Sequence, residues 1–337
     1  MQTDAAASAA GIPGLIVRPY AGGKDVETMV RIRNADWEAD GVPGRWSVDE
    51  AVPYLAHPSE QFDAGRDAFI AEVDGQPVAV TWSDWTDSTD GNRQYFSRGY
   101  VAPGHRHRGI GGALLAANIE RMRSLAATHE TDRPKVLVLG TSQHSVAGPI
   151  LAQRHGYAPV RWFFDMERPL DGELPEVRPL PDGLEVRPVD RNDAERIWHA
   201  DHDAFQDHWG GFDYSDAAFR RWIESPDFSP DLFVVAFDGE EVAGAVLNVI
   251  YPEENAQLGV QRGWLDSVFT RRAWRRRGLA NALIVRSLHL LRERGMERAV
   301  LGVDADNPSG ALGLYESVGF AEVDRTTVWQ RPLEDAT

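Results

Sequence analysis

The sequence contains no cysteine. This absence excludes a thiol nucleophile, a disulfide framework and a zinc site built on thiolates. No apolar run approaches the roughly 18 residues that a membrane-spanning helix requires, and neither a Walker loop nor a dinucleotide-binding GxGxxG motif follows an early strand. The first residues, MQTDAAASAA, have no basic segment and no long apolar core, unlike a secretory signal. We therefore expect a cytoplasmic protein without a membrane segment, in which residues 1–14 form a disordered tail.

Basic residues are outnumbered by acidic ones, since 35 Lys and Arg accompany 52 Asp and Glu and the formal net charge is -17. The imbalance is concentrated in residues 171–337, which have 18 basic and 31 acidic residues, against 17 and 21 in residues 1–170. Such acidity opposes a nucleic-acid partner, whose phosphates need cationic side chains, and favours a cationic ligand. A role in solubility alone would explain the charge equally well.

The same series of landmarks occurs twice, in the same order and one domain length apart, which indicates an internal repeat. The pairs are Leu15–Pro19 and Leu184–Pro188, Asp67–Gly75 and Asp231–Gly239, Arg106–Gly111 and Arg275–Ala280, His155–Tyr157 and Val318–Phe320, and Arg168–Leu170 and Arg331–Leu333. The stretch between the copies, Asp171–Asp182, contains three prolines and several acids, which disfavour helix formation and core packing and predict a linker. We expect one domain over residues 15–170 and a second over residues 183–337.

Each copy has the pattern of a mixed α/β sheet. An opening strand is followed by an amphipathic helix such as Asp193–Phe205, with apolar residues at helical spacing. A hairpin then turns at an Asp-Gly pair, where glycine accepts a positive φ. A further strand enters a turn rich in arginine and glycine, and the long helices Ile110–Leu125 and Leu279–Arg294 follow directly. Because strands and helices alternate after the hairpin, we predict an α/β (α+β mixed-sheet) fold in each copy.

The turns before the two long helices are suited to binding a pyrophosphate. Their glycines keep side chains away, so successive backbone N–H groups and the positive end of the helix can converge on the anion. Both turns resemble the acetyl-CoA loop, [RQ]-x-x-G-x-[GA], of the GCN5-related N-acetyltransferase (GNAT) superfamily, and the tandem arrangement is similar to that of its mycothiol synthase members. The residues carrying this resemblance are Arg106, His107, Arg108, Gly109, Ile110 and Gly111 in the first copy, and Arg275, Arg276, Arg277, Gly278, Leu279 and Ala280 in the second.

The resemblance implies two tandem GNAT-fold domains that use acetyl-CoA as co-substrate. In this superfamily the strand before the loop splays from its neighbour, holds the pantetheine arm with its backbone and polarises the thioester carbonyl. By resemblance this role is assigned to Val268, Phe269 and Thr270 in the second copy and to Gly99, Tyr100 and Val101 in the first.

The chemistry of acetyl transfer is expected in the second copy. The stretch from Val303 to Phe320 resembles the superfamily motif N-x-x-A-x-x-L-Y-x-x-x-G-F, with one extra residue of spacing. The resemblance makes Tyr315 the general acid that protonates the coenzyme A sulfur. It makes Asn307 a ligand of the pantetheine arm, although an asparagine before a proline also suits a helix cap. Asp266 lies where many members keep a carboxylate base, but an aspartate on a strand can instead anchor a loop.

The first copy lacks these proton-handling groups. Counted from the shared glycines, Ala152 takes the place of Tyr315, His144 that of Asn307 and Ser97 that of Asp266. Tyr157 or His155 could substitute for the missing acid. We expect the first copy to be non-catalytic, with a structural role, a bound but unused acetyl-CoA, or a part in the acceptor site.

The segment that shapes the acceptor pocket in this fold corresponds to His199–Tyr214, which is dense in acids, histidines and aromatic residues and suits a small cationic amine. His199 and Asp203 have the spacing of a metal-binding pair, but no third ligand follows at a diagnostic spacing, so we predict no metal. The leading hypothesis is an N-acetyltransferase acting on a small-molecule primary amine in a ternary complex, as a pseudo-symmetric monomer or a homodimer. Acetylation of a protein N-terminus or lysine, and non-enzymatic acyl-CoA binding or sensing, are the alternatives.

Overall fold

In the computed structural model, residues 12–206, 208–307 and 310–333 are described. The tail predicted over residues 1–14 falls mainly outside them. The chain divides into two compact units. Of the described residues, unit 1 contains 12–161, 210–221 and 326–333, and unit 2 contains 162–206, 208–209, 222–307 and 310–325.

Twelve strands and ten helices make up the regular structure of the described residues. The strands are β1 (Leu15–Pro19), β2 (Ala68–Val73), β3 (Gln76–Asp87), β4 (Arg93–Val101), β5 (Lys135–Ser142), β6 (Ala158–Pro169), β7 (Glu185–Val186), β8 (Val234–Asp238), β9 (Glu241–Val249), β10 (Arg262–Thr270), β11 (Arg298–Asp304) and β12 (Ala321–Pro332). The helices are α1 (Lys24–Asp40), α2 (Val48–Ala56), α3 (Ala64–Asp67), α4 (Ile110–Ala126), α5 (Ala147–Arg154), α6 (Ala194–Phe205), α7 (Asp216–Glu224), α8 (Pro252–Leu258), α9 (Leu279–Glu293) and α10 (Ala311–Ser317). The predicted hairpins and long helices are present.

Each unit contains a mixed six-stranded sheet, which confirms the predicted fold class. The strand order is β1-β2-β3-β4-β5-β12 in unit 1 and β7-β8-β9-β10-β11-β6 in unit 2. Within unit 1, β4 and β5 are parallel and the other neighbours antiparallel. Within unit 2, β10 and β11 are parallel and the other neighbours antiparallel. The repeat seen in the sequence is therefore a repeat of strand order.

The closing strands are exchanged between the two copies. The last strand of the chain pairs with β5 in unit 1, where Thr326 is opposite Ser142 and Pro332 opposite Val136. The last strand of the first copy pairs with β11 in unit 2, where Phe163 is opposite Asp304. The units thus differ from the predicted stretches 15–170 and 183–337, because the landmarks that delimit each sequence copy do not reveal which sheet its final strand joins.

The two faces of the unit 2 sheet are covered by different helices. On one face, α9 buries Leu283, Leu288 and Leu291 against apolar strand residues. On the other, α6 presents Ile197, Ala200 and Ala204 at helical spacing and packs against the alternate strand positions. The predicted linker forms no helix or strand, as expected, but Leu174 is buried in the α9 core, so the prediction that this stretch resists core packing is wrong.

The parallel strand pair at the centre of each unit separates part of the way along. In unit 2, β10 pairs with β11 only from Arg262 to Trp264, although β10 continues to Thr270. In unit 1, β4 pairs with β5 only from Arg93 to Phe96. The predicted splay is therefore present in both copies. It leaves one backbone edge of β10 available to a ligand.

A β-bulge distinguishes the two splayed strands. The register between β10 and β9 shifts between Leu265 and Ser267, so Asp266 is an extra residue in β10. The register between β4 and β3 is continuous from Arg93 to Val101. Bulges redirect side chains and are common beside functional sites. The bulge therefore places Asp266 outside the regular alternation of side chains along β10.

None of the helices in the described part of the chain combines the length and apolarity needed to cross a membrane.

The exchange of closing strands predicts where a change in β12 acts. Trp329 is buried in the core of unit 1 and its indole N–H donates to the Thr141 hydroxyl at 2.9 Å. Trp329→Ala should lower the free energy of unfolding by about 3–5 kcal/mol, as expected for an aromatic residue removed from a core. Urea denaturation followed by circular dichroism measures the change. Val323→Ala, at an exposed position of the same strand, should cost at most about 0.5 kcal/mol. Equal losses in the two variants would contradict the assignment of Trp329 to a core.

Candidate active site

The turns before α4 and α9 have the same backbone conformation. His107 and Arg276 have φ values of 62° and 61°, and Gly109 and Gly278 have φ values of 84° and 83°. Left-handed conformations are costly for a residue with a side chain. Their occurrence at matched positions in both copies indicates a structural requirement of the turn.

In unit 2 the turn is braced by Arg275. Its guanidinium donates to the Thr270 carbonyl at the end of β10 and to the Ala204 carbonyl in α6, both at 2.9 Å. A Cβ added at Gly278 would have no atom within 4 Å. The space beside this glycine is open, and the helix that begins immediately after it directs its first N–H groups outward.

A pocket of about 570 Å³ lies within unit 2 at this turn. Its walls come from the end of α6, the end of β10, the turn itself and α10. The lining residues are Ala204, Phe205, His208, Val268, Phe269, Thr270, Trp274, Arg275, Arg276, Gly278, Leu279, Ala280, Asn281, Asn307, Gly310, Ala311, Leu314 and Tyr315. The predicted loop and strand residues of the second copy are thus brought together, apart from Arg277. The buried Thr270 hydroxyl makes no hydrogen bond to any described residue, so it remains available to a ligand.

Tyr315 lies on α10 with its ring against Phe320 and is only 6% exposed, yet it lines the pocket. Burial raises the pKa of its phenol to about 12. The group therefore stays protonated throughout the neutral range and can donate a proton into the pocket.

Asn307 lines the same pocket, and α10 is capped by Gly310 rather than by Asn307. Of the two roles considered for Asn307, the helix cap is therefore wrong.

Asp266 is accessible to solvent at the bulge of β10. Crowding by the surrounding protein, followed by repulsion from the nearby Asp201, raises the pKa of its carboxyl to about 6. The next residue, Ser267, donates its hydroxyl proton to Asp201 at 2.5 Å. Asp266 does not line the pocket that contains Tyr315. It is mostly ionised at pH 7 and can accept a proton there.

The turn of the first copy is occupied by the protein's own side chains. Arg106 donates to the Asp36 carboxylate at 2.6 Å and to the Asp40 carboxylate at 2.7 Å. The Val101 N–H also points to Asp36, at 3.4 Å. A Cβ added at Gly109 would lie 3.6 Å from the Ile12 side chain. An anion approaching this turn would meet two carboxylates and an apolar cover.

The corresponding position in the second copy lacks that carboxylate. Arg106 donates to the Asp36 backbone carbonyl at 2.8 Å just as Arg275 donates to the Ala204 carbonyl at 2.9 Å. Asp36 therefore corresponds to Ala204, whose methyl group carries no charge. The remaining predicted residues of the first copy, Gly99 and Tyr100, belong to β4, and the Tyr100 ring packs against Trp82.

Hydrogen bonds confirm that Ala152 corresponds to Tyr315. The Ala152 carbonyl accepts from Tyr157 N–H at 3.0 Å, and the Tyr315 carbonyl accepts from Phe320 N–H at 3.1 Å. Ala152 is fully buried and has no proton to donate. The Tyr157 hydroxyl is buried in the core of unit 1 without a hydrogen-bond partner among the described residues. His144 lies in the turn before α5, and Ser97 lies on the regular part of β4.

The predicted acceptor segment is divided between the units at Gly210. Asp207 lies outside the described residues. In unit 2, Asp203 pairs with Arg271 at 2.7 Å rather than with His199. The described ranges contain no group of three or more His, Asp or Glu arranged to hold a metal ion.

Comparison with known proteins identifies the family of this chain. The sequence model of the acetyltransferase (GNAT) family matches residues 27–134 and 194–320. The mycothiol acetyltransferase of Geodermatophilus obscurus is 31% identical over 312 residues, which cover 91% of this chain and 94% of that protein. The mycothiol acetyltransferase of Thermobispora bispora is 30% identical over 314 residues, covering 91% of this chain and 96% of that protein.

Solved structures share the fold over nearly the whole chain. A GCN5-related N-acetyltransferase from Sphaerobacter thermophilus aligns with a TM-score of 0.68 and 25% identity, covering 96% of this chain and 97% of that one. A tandem GNAT protein from the clavulanic acid biosynthesis pathway aligns with a TM-score of 0.69 and 17% identity, covering 96% and 100%. These two similarities confirm the tandem architecture.

Five residues of importance to the two sites were not predicted from the sequence: Asp201 and Ser267 beside Asp266, and Ile12, Asp36 and Asp40 at the first turn. Asp201 lies in a stretch whose acids could not be ranked from spacing alone. Asp36 could have been found as an acid at the position that aligns with the end of α6. No local signal indicates the position of Ile12.

The raised pKa of Asp266 predicts a pH-dependent effect on stability. Its pKa of about 6 exceeds the ordinary value near 3.9. Above pH 6 the folded protein therefore carries a charge that its surroundings disfavour, and this cost disappears as the carboxyl is protonated. Asp266→Asn should raise the free energy of unfolding at pH 8 by up to about 1 kcal/mol, because solvent weakens the effect. The gain should shrink as the pH falls through 6. Chemical denaturation at pH 8, 7, 6 and 5 tests this; a pH-independent loss would contradict it.

Proposed function

Because the chain belongs to the acetyltransferase (GNAT) family, we propose that its second copy transfers an acetyl group from acetyl coenzyme A to the primary amine of a small cationic acceptor. The transfer occurs by direct attack in a ternary complex. The main support is the pocket of unit 2, where the Gly278 turn, the end of β10 and Tyr315 meet.

The groups in this pocket fit the coenzyme. The open space at Gly278 and the N–H groups that begin α9 suit a pyrophosphate, which gains from the helix dipole. Arg276 adds a positive charge at the same edge. The apolar side chains of Val268, Phe269 and Leu314 suit the pantetheine arm, and the Thr270 hydroxyl can bond to its amides.

When bound, acetyl coenzyme A supplies a thioester whose carbonyl carbon is attacked by the acceptor nitrogen while the C–S bond breaks. Asp266 accepts a proton from the acceptor ammonium, directly or through water, and thereby frees the nitrogen lone pair. Tyr315 donates its phenolic proton to the departing sulfur, and the resulting phenolate takes up, through water, the second proton that the nitrogen loses as it becomes an amide. Backbone N–H groups along the unpaired edge of β10 can stabilise the negative charge on the carbonyl oxygen.

The acceptor is proposed to be small and cationic. The excess of acidic residues in the second half of the chain attracts a positive charge. Asp201 and Asp266 concentrate negative charge at the bulge beside the proposed thioester site. The relatives named mycothiol acetyltransferase support a small-molecule acceptor rather than a protein.

The first copy is proposed to hold no coenzyme. Its turn has the same φ values, but Asp36 and Asp40 would repel a pyrophosphate and already engage Arg106. Ile12 covers the glycine. Its proposed contribution is structural, because its strands β1 to β5 form most of the sheet of unit 1.

Thiol release from acetyl coenzyme A with a panel of amines tests the proposed activity. Diamines and amino sugars should be acetylated faster than neutral alcohols or peptides with an N-terminal amine. Tyr315→Phe should lower kcat by about 100-fold or more, because the sulfur loses its proton donor, while coenzyme affinity stays within about twofold. Unchanged kcat would remove Tyr315 from the mechanism. Coenzyme binding without thiol release for any amine would favour a binding or sensing protein, and preference for peptides would favour a protein acetyltransferase.

A matched pair of glycine substitutions tests the assignment of one coenzyme to each chain. Gly278→Val and Gly109→Val introduce the same side chain at nearly equal φ values, so their backbone strain is comparable. Gly278→Val should weaken coenzyme binding at least about tenfold, or roughly 1.4 kcal/mol, whereas Gly109→Val should leave affinity and stoichiometry unchanged. Isothermal titration calorimetry on variants with native circular dichroism spectra gives both values. Two coenzymes per wild-type chain, or half the sites lost in Gly109→Val, would contradict the assignment.

A further inference from the structure

We propose that Asp201 is a positioning residue for acetyl transfer, which anchors the β10 bulge through its hydrogen bond with Ser267 and places a negative charge beside Asp266. The inference rests on the proposed function, because it concerns the proposed base of that reaction. No contact with the acceptor is assigned to Asp201.

The position of Asp201 follows from the helix that carries it. It is one turn after Ile197 and one turn before Phe205 on α6, on the side of the helix that faces the sheet. Three contacts tie this end of α6 to β10 and to the turn after it. Asp201 accepts from Ser267, Asp203 pairs with Arg271, and the Ala204 carbonyl accepts from Arg275.

The Ser267 contact lies at the weak point of β10. A bulge leaves one residue outside the regular ladder, so neighbouring contacts must fix which residue that is. Ser267 is the first residue after the bulge to regain a partner in β9, opposite Leu247. With its side chain held by Asp201 at 2.5 Å, a shift of the bulge by one position would break this hydrogen bond. The bond therefore favours the register in which Asp266 is the extra residue.

The charge of Asp201 acts on Asp266 through space. The elements packed against β10 are α6, α9, β9 and β11. Their charged groups include Asp203, which pairs with Arg271, Arg286 on α9 and Asp304 on β11. Crowding by the surrounding protein, followed by repulsion from Asp201, raises the pKa of Asp266. Two neighbouring carboxylates resist being ionised together, because each charge repels the other.

The negative charge of Asp201 makes the Asp266 carboxylate a stronger base. A carboxylate with an ordinary pKa near 3.9 is a poor acceptor for an ammonium proton at pH 7. The neighbouring negative charge strengthens the base while leaving it mostly ionised. The same charge also attracts a cationic acceptor, but that effect would appear in KM, whereas the strength of the base appears in the pH dependence of kcat/KM.

Two substitutions separate the hydrogen bond from the charge. Asp201→Asn removes the charge, but its amide oxygen can still accept from Ser267. Ser267→Ala removes the hydrogen bond and leaves the charge. The pH dependence of kcat/KM is measured from pH 4.5 to 9 with acetyl coenzyme A and the best amine of the panel. Asp203→Asn, which removes an exposed acid of the same helix that pairs with Arg271 instead of with Ser267, is the control.

The wild-type enzyme should lose activity as the pH falls through about 6. This loss of kcat/KM at low pH is the acidic limb of the pH profile. Asp201→Asn should move the acidic limb to lower pH by up to about one unit, because a repelling charge is gone. Ser267→Ala should keep the limb and lower kcat, and Asp203→Asn should leave the limb in place. An unmoved limb in Asp201→Asn, or an equal shift in Asp203→Asn, would overturn the role of Asp201. Asp266→Asn separates this failure from that of the proposed function: if the limb persists in Asp266→Asn, Asp266 is not the base.

Discussion

The separation of β10 from β11 after Trp264 is the feature on which the site depends. Two parallel strands that stayed paired would use both backbone edges and leave no room between them for a ligand. Because they part, the end of β10 faces a pocket instead of a neighbour, and α10 can bring Tyr315 to its other side. The bulge at Asp266 occurs within the same separated stretch, so the splay provides the cleft and the bulge provides a displaced carboxylate on the same strand.

The two copies show which parts of this arrangement are architectural and which are chemical. Both have the splay, the left-handed residues of the turn and the helix that follows. Only the second has a bulge in its splayed strand, an uncharged residue where Asp36 lies in the first, and a phenol where Ala152 lies. The first copy thus has the backbone of the same turn, but its carboxylates pair with Arg106 and Ile12 lies over the glycine. The fold of the turn does not by itself determine whether it binds an anion.

Features that depend on short stretches of sequence could be predicted. The Asp-Gly hairpins, the long helices that follow the two turns and the contrast between Tyr315 and Ala152 are all visible in stretches of a few residues. The exchange of β6 and β12 could not be predicted, since strand pairing depends on partners more than a hundred residues away and both closing strands end in the same Arg-Pro-Leu. The packing of Leu174 and the contact of Asp201 with Ser267 are likewise products of tertiary structure. Asp266 was found by position, but its bulge was not.

A crystal structure of the protein with acetyl coenzyme A tests the proposed site most directly. We expect one coenzyme per chain, with its pyrophosphate on the N–H groups at the start of α9 and its sulfur within hydrogen-bonding distance of the Tyr315 hydroxyl. A coenzyme seated at the Gly109 turn, or one in unit 2 whose sulfur lies away from Tyr315, would contradict it.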